Sequence, residues 1–285
     1  MFEAPREPQD FGKTLDTGFR LFGAGWKGGM LITLYAILAL GLIGGAGVAT
    51  FIPMMDRMDE AFGFAIGMGL ILGLLAIFFW LIAMNSLIAW FGAIYRGAPL
   101  RVNDAIRIGM NKLFPVFGWY ILFFLLLAGV LLPGGIIFAI GIATQEPVTI
   151  ALTSFLGGVV MLIPYFFVAV LFVFGPYLIV MDDSRATEAF GESKRLVWGN
   201  WWRTFAYGAV VMLLVWVISF ILSLPLTIVS VVFTFSGEMT GSLITDLLNQ
   251  LISLLVYPLS VSMTLSYMFD MQLRRSGLDL AARLA

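Results

Sequence analysis

The residues that most often do chemistry are missing from this chain: it has no histidine and no cysteine. That removes the usual metal ligand, general base, proton relay and thiolate nucleophile. What remains is sparse. Asp182, Asp183, Glu188 and Glu192 lie close enough in sequence to suggest a cation site. Asp183, however, suits a helix N-terminus, and Glu192 can pair with Arg195 at i+3. No metal and no cofactor are expected. Asn85-Ser86 sits inside an apolar run, and Ser219, Ser223, Thr227 and Ser230 recur at helical spacing in another. Such a face reads as interhelical hydrogen bonding, with a polar groove for a lipid headgroup as the alternative. Serine catalysis would need a base, and the runs contain no lysine to supply one. The densest polar chemistry is "ESKRLVWGNWWRTF" (192–205), where basic residues and tryptophans interleave.

The elements that position these residues follow from composition. The chain is 61% hydrophobic and 12% charged, against about 25% charged in soluble domains. Charge-free apolar runs cover 28–52, 61–95, 114–143, 147–181, 204–235 and 247–269. About 20 residues of helix cross a bilayer core, so each run is long enough to span. The runs 61–95 and 147–181 exceed that length and should tilt, break or protrude, with Pro164 and Pro176 as kink points. "PGG" (133–135) should break or kink the third span. The pairs Gly41/Gly45 and Gly63/Gly67 predict close packing in the first hairpin. Gly47-Val48-Ala49 could pass for a signal-peptide cleavage site, but the run before it starts only at residue 28 and outlasts a signal h-region.

Every lysine and arginine except Arg57 falls in one alternate set of connecting segments. The positive-inside rule makes that side the cytoplasm and predicts both termini there, which needs an even number of spans. The expectation is an all-α, polytopic transmembrane helical bundle of six spans arranged as three hairpins, a single membrane domain over 1–285. The location expected is a bacterial cytoplasmic (inner) membrane.

Each hairpin is preceded by a short amphipathic stretch, expected to lie in the interface. The stripes are Phe11, Leu15, Phe19 and Phe22; Val102, Ile106, Met110 and Leu113; and Ala186, Phe190 and Val197, the last interrupted by Ser193. Laid over each other, they align Gly18 with Gly109 and Ser193, Phe22 with Leu113 and Val197, and Trp26 with Phe117 and Trp201. This suggests repeats over 10–95, 100–181 and 184–270. In the third, a helix should begin at 182–184, capped by Asp183 or Ser184, and run to about Trp198. Gly199 should end it in the left-handed conformation, and Asn200 should cap the next helix. That would set Trp198, Trp201 and Trp202 at headgroup depth and turn Lys194, Arg195 and Arg203 toward lipid phosphates, with Trp26 and Lys27 as counterparts in the first repeat. The bland reading is an interfacial anchor; the sharper one is a site for an anionic headgroup.

The stretch "FGPYLIVMDDSRATEAFGESKRLVWGNWWRTFAYG" (174–208) resembles a signature of the YciC-like bacterial membrane proteins and of the membrane domain attached to some glycerophosphodiester phosphodiesterases. The shared pattern is Pro176, Asp182/Asp183, Ser193, Leu196, Gly199 and Trp201/Trp202. "FGKTLDTGFRLFGAGW" (11–26) resembles the opening segment of the same family. The resemblance implies a six-helix inner-membrane protein and no particular activity. The functional expectation is a non-enzymatic lipid-interacting or scaffold protein of membrane homeostasis. Phospholipids are its expected partners, with room for an unidentified cytoplasmic or membrane protein and none for nucleic acid. The alternative is a transporter or permease subunit coupled to a cytoplasmic partner. An intramembrane carboxylate, which ion-coupled transport usually needs, is absent from the runs; Asp246 and Asp270 mark the ends of the last.

Overall fold

The computed structural model describes residues 2–51, 58–236 and 239–276, and all regular structure among them is helical. A backbone in lipid must satisfy its polar groups internally, and long apolar runs do so as helices. In order these are α1 (Phe11–Phe51), α2 (Met58–Tyr95), α3 (Val102–Asn111), α4 (Leu113–Thr144), α5 (Pro147–Leu171), α6 (Gly175–Asp182), α7 (Ala186–Val197), α8 (Trp201–Ser236) and α9 (Met239–Arg275). Five stretches are long and apolar enough to cross a membrane: Phe11–Gly47, Ile66–Tyr95, Leu113–Thr144, Pro147–Asp182 and Trp201–Val231. They expose large apolar side chains along much of their length, such as Leu38, Leu70, Phe124, Phe155 and Ile228. Water would not tolerate so continuous an apolar surface, and the chain is a multi-pass membrane protein. The sixth expected run falls in α9, where most side chains before Val256 lie outside the described residues.

The chain divides into two compact units, Met1–Leu113 with Tyr207–Ala285, and Phe114–Ala206. In the first, α1 packs on both α9 and α2. Lipid tails give helices no hydrophobic reason to associate, so close approach and interhelical hydrogen bonds must hold them. The glycines of "GAGWKGG" (23–29) provide that approach: a Cβ at Gly28 would overlap the Trp90 ring, and one at Gly25 would meet Ile94 and Phe91 within 3 Å. The Trp90 indole N–H donates to the Gly25 carbonyl at 2.9 Å. The inner half of α9 is enclosed, with Val261, Met263, Leu265, Tyr267 and Met268 all buried. Tyr207 stacks on Tyr267 at 4.2 Å and donates its hydroxyl to the Met263 carbonyl. α2 stops at Gly97, whose φ of +70° lets Ala98 N–H bond back to the Ala93 carbonyl at 2.9 Å.

In the second unit α4 and α5 meet at glycines. A Cβ at Gly134 would strike Met161 and the Gly157 carbonyl, and one at Gly141 would strike Thr153. The long run 147–181 does break, at 172–174, with Pro176 in the first turn of α6. The break leaves polar backbone ends inside apolar surroundings, and the Ser193 hydroxyl of α7 takes both. It donates to the Leu171 carbonyl at 2.8 Å and accepts from the Phe174 N–H at 3.3 Å.

Several expectations are corrected. The first amphipathic stretch is not a separate helix; α1 runs unbroken because nothing between Phe22 and Leu31 stops it and Trp90 fills its glycine face. Pro133 and Pro164 lie inside continuous helices, so "PGG" does not break its helix. A methyl added at Gly41, Gly45, Gly63 or Gly67 would find no described atom within 4 Å; among the described residues the close approaches of α1 to α2 include Gly25, Gly28 and Gly47. Ser223 and Thr227 bond to carbonyls of their own helix, Phe220 and Ser223, as hydroxyls in apolar helices can. Asp183 and Ser184 do not open a helix: Asp183 ends α6 with φ +57°, and α7 starts at Ala186 with the Glu188 carboxylate accepting the Arg185 N–H at 3.0 Å. Glu192 accepts the Ser184 hydroxyl rather than pairing with Arg195.

The stripes themselves also face differently. Phe19 and Met110 are exposed, and of the expected stripe residues only Val197 is buried; the other buried positions are Thr14, Thr17, Gly18 and Leu21 in α1, Ala105 and Gly109 in α3, and Ala189, Ser193 and Leu196 in α7. Ser193 is no interruption but the centre of the docked face. Small residues dock because they allow backbones to approach; the bulky side chains have lipid to go to.

Candidate functional site

Two clusters of polar and aromatic groups stand out, one in each unit. The α7–α8 corner belongs to the second. Its geometry starts at Val197, where α7 ends: Trp198 N–H bonds to the Lys194 carbonyl, and Gly199 at φ +89° turns the chain so that Asn200 N–H reaches the Val197 carbonyl. The Asn200 carbonyl then receives Thr204 N–H and starts α8. The corner is pinned to α5 through Phe167. The Trp201 indole donates to the Phe167 carbonyl at 3.2 Å and its ring stacks on the Phe167 ring at 5.6 Å. Trp201 also lies parallel to Phe205 at 5.3 Å and edge-on to Trp202 at 4.8 Å.

Outside this anchor the corner is open. Trp198 is 62% and Trp202 76% exposed, and the Lys194 ammonium lies 5.4 Å from the Trp198 ring. Arg195 is exposed, with no hydrogen bond or ion pair among the described residues. Lys194 and Arg195 sit in the last turn of α7, where cations suit the helix dipole. The structure thus brings Lys194, Arg195, Trp198, Trp201, Trp202 and Arg203 together at one corner. Trp26 and Lys27 fall in the other unit, both exposed, with the ammonium 5.9 Å from the indole. Among the described residues no three acidic, histidine or cysteine side chains converge on a metal position.

The cluster in the first unit was not anticipated. Asp270, expected only to mark the end of a span, is 3% exposed. One carboxylate oxygen accepts the Gln9 N–H at 2.6 Å and the other accepts Arg274 Nε–H at 2.9 Å; Arg274 also donates to the Gln9 carbonyl. The Gln9 side chain accepts the Thr17 hydroxyl at 2.8 Å, and Ser266 donates to the Thr14 carbonyl at 2.9 Å. These bonds clamp the N-terminal segment onto the C-terminal end of α9. The available signal was the Asp270/Arg274 spacing of one helical turn beside a stretch of otherwise apolar helix.

Residues 65–268 match the model of a family described as Domain of unknown function (DUF7847). The chain belongs to that family. The DUF7847 match takes in the α3–α2 contact, the break at 172–174 and the whole α7–α8 corner; Gln9, Asp270 and Arg274 lie outside it. No curated protein and no solved structure matches the chain.

Proposed function

We propose that this chain is a six-span protein of a bacterial cytoplasmic membrane, with both termini inside and three helical hairpins. Its role is non-enzymatic: to hold anionic phospholipid, or a membrane partner, at its cytoplasmic basic-aromatic corner. The one observation that carries the lipid reading is the outward placement of Lys194, Arg195, Trp198 and Trp202 around a rigidly pinned Trp201. Exposed indoles beside exposed cations suit the headgroup layer, where each basic side chain is worth about 1 kcal/mol on an anionic surface. The resemblance to YciC-like proteins belongs to the same reading.

The threefold construction is part of the proposal, and its support is positional. α1, α3 and α7 start at Phe11, Val102 and Ala186, the positions that the alignment of Gly18, Gly109 and Ser193 makes equivalent. Thr14, Ala105 and Ala189, also equivalent, are all fully buried. Gly18 docks on Met263 of α9, Gly109 on Ile82 and Ser86 of α2, and Ser193 on Leu171 of α5. Each stretch thus docks on the helix that closes the preceding hairpin, and the first docks on the last.

Native mass spectrometry tests the lipid reading. Lys194→Gln/Arg195→Gln should release acidic phospholipids that the unaltered protein retains, with zwitterionic lipids unaffected. Equal retention would defeat it. A permease subunit is the second reading, favoured by the helix break at 172–174, a feature used at transport sites. Gentle purification with a stably bound ATPase would support it. Ser193 already satisfies the ends of that break, which favours the first reading.

A further inference from the structure

The first unit carries an open groove of about 620 Å³ beneath the N-terminal segment, lined by Phe2, Arg20, Ala24, Trp90, Ile94 and Pro99. Ligand pockets commonly hold about 300–1,000 Å³ and combine apolar walls with a few polar groups. Here the single charge is Arg20. It is exposed and makes no hydrogen bond or ion pair among the described residues. The Trp90 N–H is already given to Gly25, so the indole offers the groove an apolar surface.

A second, more polar hollow of about 630 Å³ adjoins the groove and shares Phe2 and Gly97 with it; Glu3, Arg6 and Arg96 are among its lining residues. Phe2 stands between the two. Its ring lies 5.6 Å from Tyr95, which stacks on Phe269 at 4.1 Å, and Arg96 caps Phe269 at 5.7 Å. The segment that carries Phe2 is tied down further along by the Gln9–Asp270–Arg274 clamp. The groove thus lies under a segment held at Gln9 and resting on Tyr95 through Phe2. An apolar trough with one unpaired cation at its edge, open beside a polar hollow, has the chemistry of an amphiphile site. Within the groove itself a soluble anion would find a single charged group among otherwise apolar lining.

We propose that this groove holds one acyl chain of an anionic phospholipid, with the headgroup on Arg20. The idea rests on the membrane reading but not on the α7–α8 corner.

Trp90 makes the test direct. The purified protein is titrated with phosphatidylglycerol carrying dibrominated acyl chains, and separately with the matching phosphatidylcholine, while tryptophan fluorescence is followed. The difference between the unaltered protein and Trp90→Phe isolates the Trp90 signal. Phosphatidylglycerol should quench it at about five-fold lower concentration, the share of one basic side chain at an anionic headgroup. Arg20→Gln should abolish that preference, and Lys194→Gln/Arg195→Gln should leave it intact. Equal quenching by the two lipids, or a preference that survives Arg20→Gln, would overturn the proposal. Loss in the corner variant alone would overturn the groove and keep the corner. If Trp90→Phe does not fold, native mass spectrometry decides. One fewer retained phosphatidylglycerol in Arg20→Gln supports the site, and an unchanged count overturns it.

Discussion

The C-terminal end of α9 and the α7–α8 corner both gather charges and aromatic rings, and they use them in opposite ways. At α9 the groups face inward. Asp270 has both oxygens taken, and the rings pair off in stacks, Tyr207 on Tyr267 and Tyr95 on Phe269. At the corner only Trp201 is tied back, and its neighbours Trp198 and Trp202 project outward beside Lys194. A charge buried in protein must be paired or it destabilises the fold. A charge left on the surface carries no such requirement. The first cluster holds the N-terminal segment on α9, and the second leaves its cations and indoles exposed.

The largest effect should come from the α9 clamp. Asp270→Leu leaves the Arg274 guanidinium and the Gln9 N–H without their acceptor. Breaking a buried pair costs about 3–5 kcal/mol, and the partial exposure of Arg274 puts this case near about 3 kcal/mol. Thermal unfolding in detergent, with proteolysis of residues near the N-terminus as a second readout, should show a large drop and an early cut. A shift no larger than that of a corner substitution would erase the contrast between the two clusters.

Glycines sharpen the comparison at the next size. Gly175→Ala drives a methyl into the Trp119 ring, and overpacking of this kind costs about 1–3 kcal/mol. Gly41→Ala meets no described atom and gains helix propensity, about 1 kcal/mol at most. The two alanines should move the unfolding midpoint in opposite directions. Equal destabilisation would mean that Gly41 has a close neighbour after all.

Much of the fold could be read from the sequence, for identifiable reasons. Long uncharged runs have one backbone solution in lipid, so the spans and the left-handed turn at Gly199 follow from local chemistry. Which face of a helix docks did not follow. Hydrophobic periodicity marks the face that avoids water, and in a bilayer both faces avoid it. The Phe19 and Met110 stripes therefore pointed at lipid, and the small residues beside them at protein. Small-residue spacing points to Gly41 and Gly63 and is silent on Gly25 and Gly28, because spacing alone does not reveal which glycine a tryptophan on another helix will cover. The corner tryptophans were legible as a group, since they lie within one short stretch. The Asp270 clamp was not, because its partner Gln9 is 261 residues away.

Ser193 gives a third, smaller effect, and it lies on the boundary between the two behaviours. Its hydroxyl caps the ends of the helix break, and it stands immediately before Lys194, the first residue of the corner. Ser193→Ala keeps the shape and leaves the buried Leu171 carbonyl and Phe174 N–H without it, a cost of about 1–3 kcal/mol. Stability should fall while lipid retention at the corner stays unchanged at temperatures where the protein remains folded. Loss of both together would show that the corner depends on the break for its geometry.

The smallest stability effect should be at Trp202, and there the comparison is most exposed to failure. The side chain is three-quarters exposed, and its ring contacts are edge-on to Trp201 and Phe205. Surface changes away from caps and buried networks stay within about 0.5 kcal/mol. Trp202→Ala should therefore leave the unfolding midpoint almost where it was, yet, on the proposed lipid reading, reduce retained acidic lipid. The reverse outcome, a destabilised protein with full lipid retention, would make the corner a second structural clamp. The outward-facing tryptophans would then be packing elements awaiting a helix from another chain.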